Sequence, residues 1–303
     1  MKISKYILEI AVFICGAVVM IFELVGSRVL APYFGTSIVV WTSLIGIILG
    51  SLSIGYYLGG KISDKRPRFN SLSLIIFLAG IIIGITTLFK DPLLYFLFTK
   101  FESAKAGPVI ASLIIFLPAS LLLGMVSPYA AKLRINNLDS SGSAVGSLYA
   151  ISTTGSIVGT FLSGFYLIPH FGTNKLLYIL SASLLIVSAG ISEKKIATVK
   201  LLIFTLVLFS WGMFDNNFFL SKLEKKGLID VDTAYNRIWV YDFKDQKTNN
   251  IVRVMQINSV FHSIMALDNN ELVDGLTPYY HLASYFNPNF KKALMIGGGG
   301  YSY

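Results

Sequence analysis

The sequence predicts a polytopic α-helical membrane bundle of about seven transmembrane helices, followed by the start of an α/β domain with a small antiparallel β-sheet. Three observations predict this architecture. The chain of 303 residues is 54% hydrophobic and only 14% charged, whereas soluble domains contain about 25% charged residues. Long apolar segments fill residues 1–213, and the period-two alternation typical of strands begins after residue 214. Near the end, a short apolar run leads directly into four glycines.

Seven apolar segments approach the length of about 20 residues that a helix needs to cross the hydrocarbon core of a bilayer. They are residues 6–25, 38–59, 72–89, 108–130, 145–168, 175–191 and 199–213. The first follows Lys2 and Lys5, as in signal peptides, but it is long and lacks a small-residue cleavage site, which predicts a retained helix. Pro118 and Pro128 should bend the fourth segment. The seventh is short and contains Lys200, so it could instead be tilted, re-entrant or interfacial.

The distribution of basic residues predicts a cytoplasmic N-terminus. The whole net charge of +9 lies in residues 1–213, because the charges of residues 214–303 balance. With the N-terminus inside, the inner loops hold more Lys and Arg than the outer loops, as expected for membrane proteins. The inner set is Lys2, Lys5, Lys61, Lys65, Arg66, Arg68, Lys132, Arg134, Lys194, Lys195 and Lys200, and the outer set is Arg28, Lys90, Lys100, Lys105 and Lys175. The basic excess therefore indicates topology rather than nucleic-acid binding.

Glu23 and Arg28 form a candidate polar pair in the first segment. A charge costs about 3 kcal/mol at the centre of a membrane helix on insertion scales, so it usually faces a polar cavity or a partner. Five residues rotate a helix about 140° past the first side chain, so the two side chains meet only if the helix ends or bends near Gly26. The pair could fix a helix end at the interface, or bind a substrate or proton.

Small residues and the single cysteine give further expectations. Glycine pairs at four-residue spacing predict close helix packing: Gly46 and Gly50, Gly55 and Gly59, Gly80 and Gly84, and Gly155 and Gly159. Cys15, the one cysteine, excludes a disulfide framework or a cysteine-based metal site within the chain. We expect no bound metal.

Residues 214–303 form the predicted second domain. Residues 237–243 alternate between polar and apolar side chains, and residues 251–257 and 260–267 are further strand candidates around Asn258 and Ser259. Together they predict a small antiparallel sheet. Residues 271–286 predict a helix.

The terminal glycines Gly297, Gly298, Gly299 and Gly300 follow a predicted strand over residues 293–296. Glycine tolerates positive φ and lets backbone N–H groups approach a ligand closely. A strand that runs into a glycine turn begins the nucleotide site of doubly wound α/β domains. The same run could also be a tight turn without a ligand.

Four stretches resemble the fused membrane–spermidine synthase proteins of prokaryotes, in which a major-facilitator-like helical bundle precedes an aminopropyltransferase-like domain. The stretches are residues 22–35, 57–60, 123–128 and 148–155. The resemblance extends from about Glu23 to Tyr303, and residues 23–35 are its most specific part. It implies that the chain is the N-terminal part of such a protein, truncated at the glycine loop, with a methyltransferase-like α/β fold in its second domain.

The resemblance also implies an activity and candidate site residues. Spermidine synthases are transferases of polyamine biosynthesis that move an aminopropyl group from decarboxylated S-adenosylmethionine to putrescine or a related amine. In this family a Tyr-Gln pair contacts the nucleoside, and Tyr235 and Asn236 occupy its place. His262 stands where the family has a glutamine, and an imidazole can still form hydrogen bonds. Either residue could instead be ordinary strand surface.

The chain departs from the family at several points. The Tyr-His-Glu motif of soluble spermidine synthases is not matched, because Tyr280 and His281 lie too close to the glycines, which puts polyamine recognition in doubt. Gly300 stands where the family often has an aspartate. The acidic residue that binds ribose lies about 20 residues past the glycines in such folds, and the catalytic aspartate of the family comes later. We therefore expect no catalytic residue within this chain.

Three functions stay open at this point: a membrane-anchored aminopropyltransferase, a transporter-like module for polyamines or related solutes, and an S-adenosylmethionine-dependent methyltransferase with another acceptor. The expected partners are the lipid bilayer, a small polyamine and a second copy bound through the soluble domain, but no nucleic acid. Seven crossings from an inside N-terminus would put residues 214–303 outside the cell, whereas adenosyl donors are expected in the cytoplasm. If residues 199–213 do not cross, this conflict vanishes.

Overall fold

The computed structural model describes residues 5–101, 105–135, 141–193, 196–197, 199–200, 203, 206, 229–233, 235–245, 250–267, 279, 282–292 and 294. The chain divides into two compact units, Met1–Met213 and Phe214–Tyr303. The described part of the first unit is helical, and that of the second contains a β-sheet.

The helical unit begins with three long helices, α1 (Lys5–Phe34), α2 (Ile38–Lys65) and α3 (Phe69–Lys100). Shorter helices follow: α4 (Ala106–Ile115), α5 (Leu117–Gly124), α6 (Val126–Arg134), α7 (Ser141–Leu162), α8 (Ile168–His170) and α9 (Thr173–Ile191), with a π-helical turn over Ser163–Leu167. Their mostly apolar sequences favour helices that bury side chains against one another on several sides.

Five of the helical segments that the structure describes are long and apolar enough to cross a membrane: Tyr6–Phe34, Ile38–Lys65, Phe69–Lys100, Ser141–His170 and Thr173–Ile191. Ala106–Ile115 and Leu117–Arg134 add a sixth if the pair, bent by 50°, is one span. The break lies at Phe116, just before Pro118, which lacks a backbone N–H for the helical ladder. Most of the expected seventh span, residues 199–213, lies outside the described residues, so its crossing remains a prediction.

Glycines set the closest helix contacts. A Cβ at Gly159 of α7 would lie 2.5 Å from the carbonyl oxygen of Ala17 in α1, and a Cβ at Gly59 of α2 would lie 2.6 Å from that of Met125. The predicted packing role of these glycines is confirmed. The prediction for Gly46 and Gly50 is wrong within the described residues, because nothing lies within 4 Å of a Cβ at either position.

Polar contacts join helix ends on one side of the unit. Glu9 near the start of α1 forms an ion pair of 2.8 Å with Arg134 at the end of α6. Asn70 near the start of α3 donates a hydrogen bond of 2.9 Å to Glu193, just after α9. Tyr129 of α6 joins the two pairs, because its hydroxyl contacts the backbone of Arg66 and Arg68 just before α3. The starts of α1 and α3 therefore lie on the same side as the ends of α6 and α9. We call this side the N-terminal end of the helical unit.

The second unit contains a four-stranded antiparallel sheet in the order β1 (Ile229–Asp232), β2 (Arg237–Lys244), β3 (Ile251–Ile257) and β4 (Val260–Ala266). The three predicted strands, over residues 237–243, 251–257 and 260–267, are confirmed. β1 was not predicted, because its four residues are too few for a periodic pattern. One face of the sheet is covered, since Val252 and Val254 of β3 and Ala266 of β4 are buried.

The remainder of the second unit is described only in part. Of the predicted helix over residues 271–286, the structure describes Tyr279 and the last turn, α10 (Leu282–Phe286). The predicted strand over residues 293–296 lies outside the described residues except for Leu294, which is exposed. The four glycines also lie outside them.

Candidate functional site

Predicted site residues lie at one end of the β-sheet, where the β1–β2 and β3–β4 turns are found. The β1–β2 turn is closed by Thr233, whose hydroxyl donates to the carbonyl oxygen of Asn236 (2.7 Å) and accepts from its N–H (3.0 Å). Tyr235 lies within this turn, and its side chain is 85% exposed. The turn therefore fixes the backbone on both sides of Tyr235 and Asn236 and leaves the tyrosine ring open to a ligand.

Asn258 in the β3–β4 turn connects the two turns. Its Nδ2 donates a hydrogen bond of 2.8 Å to Asn236 Oδ1, and its Oδ1 accepts from the N–H of Arg237 over 3.1 Å. The residue has a φ of 52°, in the left-handed region that asparagine tolerates better than most residues. From the sequence, Asn258 is expected only as a turn residue between two strands, because its contact with Asn236 depends on the sheet register.

A second amide extends this network into the sheet. Gln256 Nε2 donates 2.7 Å to the carbonyl oxygen of Asn258, and Tyr241 donates 3.1 Å to Gln256 Oε1. Asn236 Oδ1 accepts the hydrogen bond from Asn258, whereas Asn236 Nδ2 has no hydrogen-bond partner among the described residues. The network therefore orients the Asn236 amide so that its N–H groups can donate to a ligand.

His262 lies at an irregularity in β4. Met255 pairs with Ser263 and Gln256 pairs with Phe261, so His262 is the extra residue of a β-bulge. Bulges redirect a side chain and are common beside functional sites. The imidazole is exposed and has no hydrogen-bond partner among the described residues. The structure thus places Tyr235, Asn236 and His262 toward the same end of the sheet, but no described hydrogen bond joins His262 or the Tyr235 side chain to the Asn236 side chain.

Two carboxylates of the sheet, those of Asp230 and Asp242, form ion pairs with arginines. Asp230 receives two hydrogen bonds from Arg237, of 2.8 and 2.6 Å, and Asp242 receives two from Arg253, of 2.8 and 2.9 Å. The hydrogen bonds from Arg253 lower the pKa of the Asp242 carboxyl. These groups stabilise neighbouring strands, and neither is a candidate for proton transfer.

The glycines Gly297, Gly298, Gly299 and Gly300 lie outside the described residues, so their contact with a nucleotide remains a prediction.

Glu23 and Arg28 lie on one continuous helix. α1 extends through Gly26 to Phe34, so the bend that would bring the two side chains together is absent. Gly26 instead allows close packing, since a Cβ there would lie 3.0 Å from Leu44 and from the Phe116 ring. The two side chains remain about 140° apart around the helix axis. No ion pair joins Glu23 to a described residue, and a binding role for either residue remains a prediction.

Lys90 is a buried charge that the sequence interpretation misplaced in a loop. α3 continues to Lys100 and contains both Lys90 and Pro92. Lys90 is 2% exposed, and its Nζ donates 2.7 Å to Asp91 Oδ2. Tyr33 at the end of α1 donates 3.1 Å to Asp91 Oδ1. The loop expectation was wrong, because α3 continues without a break through Lys90 and Pro92. The pair of the buried Lys90 and the partly exposed Asp91 is a candidate functional group.

Lys200 is a second buried charge. Its Nζ donates to the hydroxyl oxygens of three serines, Ser73 of α3, Ser188 of α9 (2.8 Å) and Ser192 (2.9 Å). An ammonium has three N–H donors, so this cluster satisfies all of them. Lys200 therefore attaches the chain after α9 to the N-terminal end of α3. The sequence shows Lys200 inside a short apolar segment, but Ser73 lies 127 residues away in the chain, on α3, and could not be assigned to it from the sequence.

Comparisons with known proteins give one informative similarity. The chain is 26% identical over 176 residues to polyamine aminopropyltransferase 1 of Streptomyces coelicolor, which covers 57% of this chain and 31% of that protein. The chain thus spans about a third of the length of the curated relative that it matches. No protein-family model matches the chain, and no solved structure matches it.

The structure and the sequence similarity are compatible with a distant relationship to this enzyme. The sheet end supplies amide, imidazole and phenol groups that can form hydrogen bonds, and the helices are compatible with a membrane location. The chain is a distant relative of a polyamine aminopropyltransferase.

Proposed function

We propose that this chain is the membrane-anchored N-terminal part of a spermidine synthase-like aminopropyltransferase. The full-length protein would transfer an aminopropyl group from decarboxylated S-adenosylmethionine to putrescine or a related amine. The observation that carries this proposal is the similarity over 176 residues to a polyamine aminopropyltransferase. The polar groups at the end of the sheet support it, because a nucleoside offers ring nitrogens and hydroxyls to such groups.

The reaction requires alignment and removal of one proton. The amine nitrogen attacks the methylene carbon next to the sulfonium, the new C–N bond forms as the C–S bond breaks, and sulfur leaves with the electron pair as a neutral thioether. The amine then has one proton more than the product, and a general base accepts it. Holding the two substrates in line supplies much of the rate enhancement in such a transfer. The proposal assigns no base within residues 1–303.

The residues of this chain would bind and orient the donor. Asn236 Nδ2 would donate to the nucleoside, with its amide held by Asn258. Tyr235 would offer its exposed ring for stacking and its hydroxyl for a hydrogen bond, and His262 would offer an imidazole nitrogen from the bulge. The backbone of Gly297–Gly300 would approach the polar part of the donor, as the resemblance implies.

The helical unit would anchor the enzyme in the cell membrane with a cytoplasmic N-terminus. Five or six helices of suitable length and composition support this placement. The distribution of Lys and Arg supports the orientation.

Binding of the donor to the full-length protein tests the proposal. We would measure the affinity for decarboxylated S-adenosylmethionine and for S-adenosylmethionine by calorimetry, in the wild type and in Asn236→Ala. We expect tighter binding of the decarboxylated donor and about tenfold weaker binding to Asn236→Ala, since one hydrogen bond to a ligand is lost. Tighter binding of S-adenosylmethionine would instead favour a methyltransferase.

A transporter-like function is a second candidate, because the helical unit contains the buried Lys90 paired with the partly exposed Asp91, which also accepts a hydrogen bond from Tyr33. Ionisable residues inside membrane helices commonly line a path for ions or solutes. Polyamine flux into vesicles containing the full-length protein tests this candidate. Reduced flux in both Asp91→Asn and Glu23→Gln would support it, and unchanged flux in both would argue against it.

A further inference from the structure

A basic surface lies where α2 ends and α3 begins. We call Lys61, Lys65, Arg66 and Arg68 the basic loop; all four are exposed. Asp64 is the only acidic residue between positions 61 and 68, and its carboxylate is 2.8 Å from Lys132 Nζ. None of the four basic side chains forms an ion pair with a residue that the structure describes. The surface therefore has a local excess of positive charge that the described part of the chain leaves uncompensated.

The backbone of the basic loop is held in one conformation. The buried Tyr129 donates its hydroxyl to the carbonyl oxygen of Arg66 and accepts from the N–H of Arg68 over 3.4 Å. The N–H of Arg66 donates 3.0 Å to Ile62, and that of Arg68 donates 2.8 Å to the carbonyl of Arg66. Pro67 fixes its own φ between the two arginines. A fixed backbone lowers the conformational entropy that a ligand must remove from this surface.

The basic loop borders apolar helix surface on both sides. Tyr56 and Tyr57, on the last turns of α2, are 45% and 67% exposed, and Lys61 Nζ lies 5.7 Å from the Tyr57 ring centre. Exposed tyrosines followed by lysines are typical of helices at the headgroup level of a bilayer. On the other side, α3 starts at Phe69 and enters a long apolar span. The charges therefore lie where the apolar surface of the helical unit ends.

We propose that the basic loop binds the phosphate groups of anionic lipid headgroups in the leaflet next to the N-terminal end of the helical unit. Guanidinium groups suit this ligand, since each can give two parallel hydrogen bonds to a phosphate. Lysine ammonium groups add attraction to an anionic leaflet without a fixed geometry. This inference rests on the membrane placement of the helical unit and is independent of aminopropyl transfer.

Lipid binding by the purified full-length protein in detergent tests the proposal. The probe is phosphatidylglycerol, compared with phosphatidylcholine of the same chain length, and the bound lipid is counted by native mass spectrometry. The variant Arg66→Gln/Arg68→Gln removes two cations from the loop. The control Lys100→Gln/Lys175→Gln removes two exposed cations from the opposite ends of α3 and α9. We expect about tenfold weaker phosphatidylglycerol binding in the first variant and no change in the control.

Two further variants and a soluble competitor test whether the charge of the basic loop and the lipid itself are required for binding. Arg66→Lys/Arg68→Lys retains the charge and should retain most of the binding, and Lys61→Gln/Lys65→Gln should lower it if the arginine variant does not fold. Soluble glycerol phosphate at the same concentration should compete poorly. Equal loss in the control, undiminished binding in both loop variants, or full competition by glycerol phosphate would overturn the proposal.

Discussion

Asn258 Nδ2 donates a hydrogen bond of 2.8 Å to Asn236 Oδ1 and joins two turns that are 22 residues apart in the chain. The contact holds the side chain whose free N–H groups we propose to bind the nucleoside. It makes Asn258 a positioning residue, because Asn258 acts on the donor through Asn236.

The variant Asn258→Gly tests this role. Glycine keeps the positive φ of 52° without strain but removes both side-chain hydrogen bonds. In the full-length protein we expect the KM for decarboxylated S-adenosylmethionine to rise about tenfold, with a smaller change in kcat, because orientation of a binding group is lost. Asn258→Asp, which keeps the acceptor for Arg237 N–H, should have an intermediate KM. An unchanged KM in the glycine variant would show that the contact only stabilises the fold.

The contact of α1 with α7 predicts different effects for two glycines of the same helix. Gly159→Ala would place a Cβ 2.5 Å from the Ala17 carbonyl oxygen, whereas Gly146 has nothing within 4 Å. We expect Gly159→Ala to lower the free energy of unfolding by about 2 kcal/mol. Gly146→Ala should be neutral or slightly stabilising, because alanine favours a helix. Thermal unfolding of both variants in the same detergent measures the difference, and similar midpoints would contradict the described packing.

The Asp242–Arg253 ion pair predicts a small pH dependence of the sheet. The folded-state pKa of Asp242 lies below its ordinary value of 3.8, because Arg253 donates two hydrogen bonds to the carboxylate. The pair therefore stabilises the sheet above that value, and the stabilisation is lost as the pH falls through the lower, folded-state pKa. The pair is solvent-exposed, so we expect about 0.5 kcal/mol or less.

Hydrogen exchange of the β2 and β3 amides, corrected for intrinsic rates, measures this effect in the full-length protein. Protection should favour the wild type over Asp242→Asn at about pH 6, and the difference should shrink as the pH falls below the ordinary value of 3.8 and the carboxylate becomes protonated. An advantage of the wild type that grows as the pH falls would contradict this prediction.

The pair of the buried Lys90 and the partly exposed Asp91 predicts coupled effects on stability. Asp91→Asn leaves the buried Lys90 ammonium without the Asp91 carboxylate. We expect a cost of up to about 3 kcal/mol, because a buried charge loses its ion-pair partner but solvent reaches the site of Asp91. Lys90→Met removes the charge and fills the site with an unbranched apolar side chain. We expect the double variant to lose less than the sum of the two single losses. Thermal unfolding of the four proteins gives the coupling, and strictly additive losses would contradict a direct interaction.

Features with a local cause could be predicted from the sequence. β3 was predicted with the correct limits because polar turn residues flank residues 251–257, and Pro118 marked the bend at Phe116. β1 was missed because only four residues alternate. Lys90 was placed in a loop because the predicted apolar segment ends at residue 89, whereas the helix continues with the charge paired to Asp91.

Features that depend on long-range packing could not be predicted. Gly46 and Gly50 have the same spacing as Gly155 and Gly159, yet only the second pair lies against another helix. The serines around Lys200 come from α3 and the end of α9. The sheet register brings Asn258 to Asn236, and a bulge exposes His262. Each of these contacts depends on where another element lies, which spacing within one segment does not determine.

The most direct test of the central claim is the product formed by the full-length protein in membranes supplied with decarboxylated S-adenosylmethionine and putrescine. We predict spermidine and methylthioadenosine in equal amounts, with less of both from Asn236→Ala. Formation of a methylated product from S-adenosylmethionine, with no spermidine from the decarboxylated donor, would contradict it.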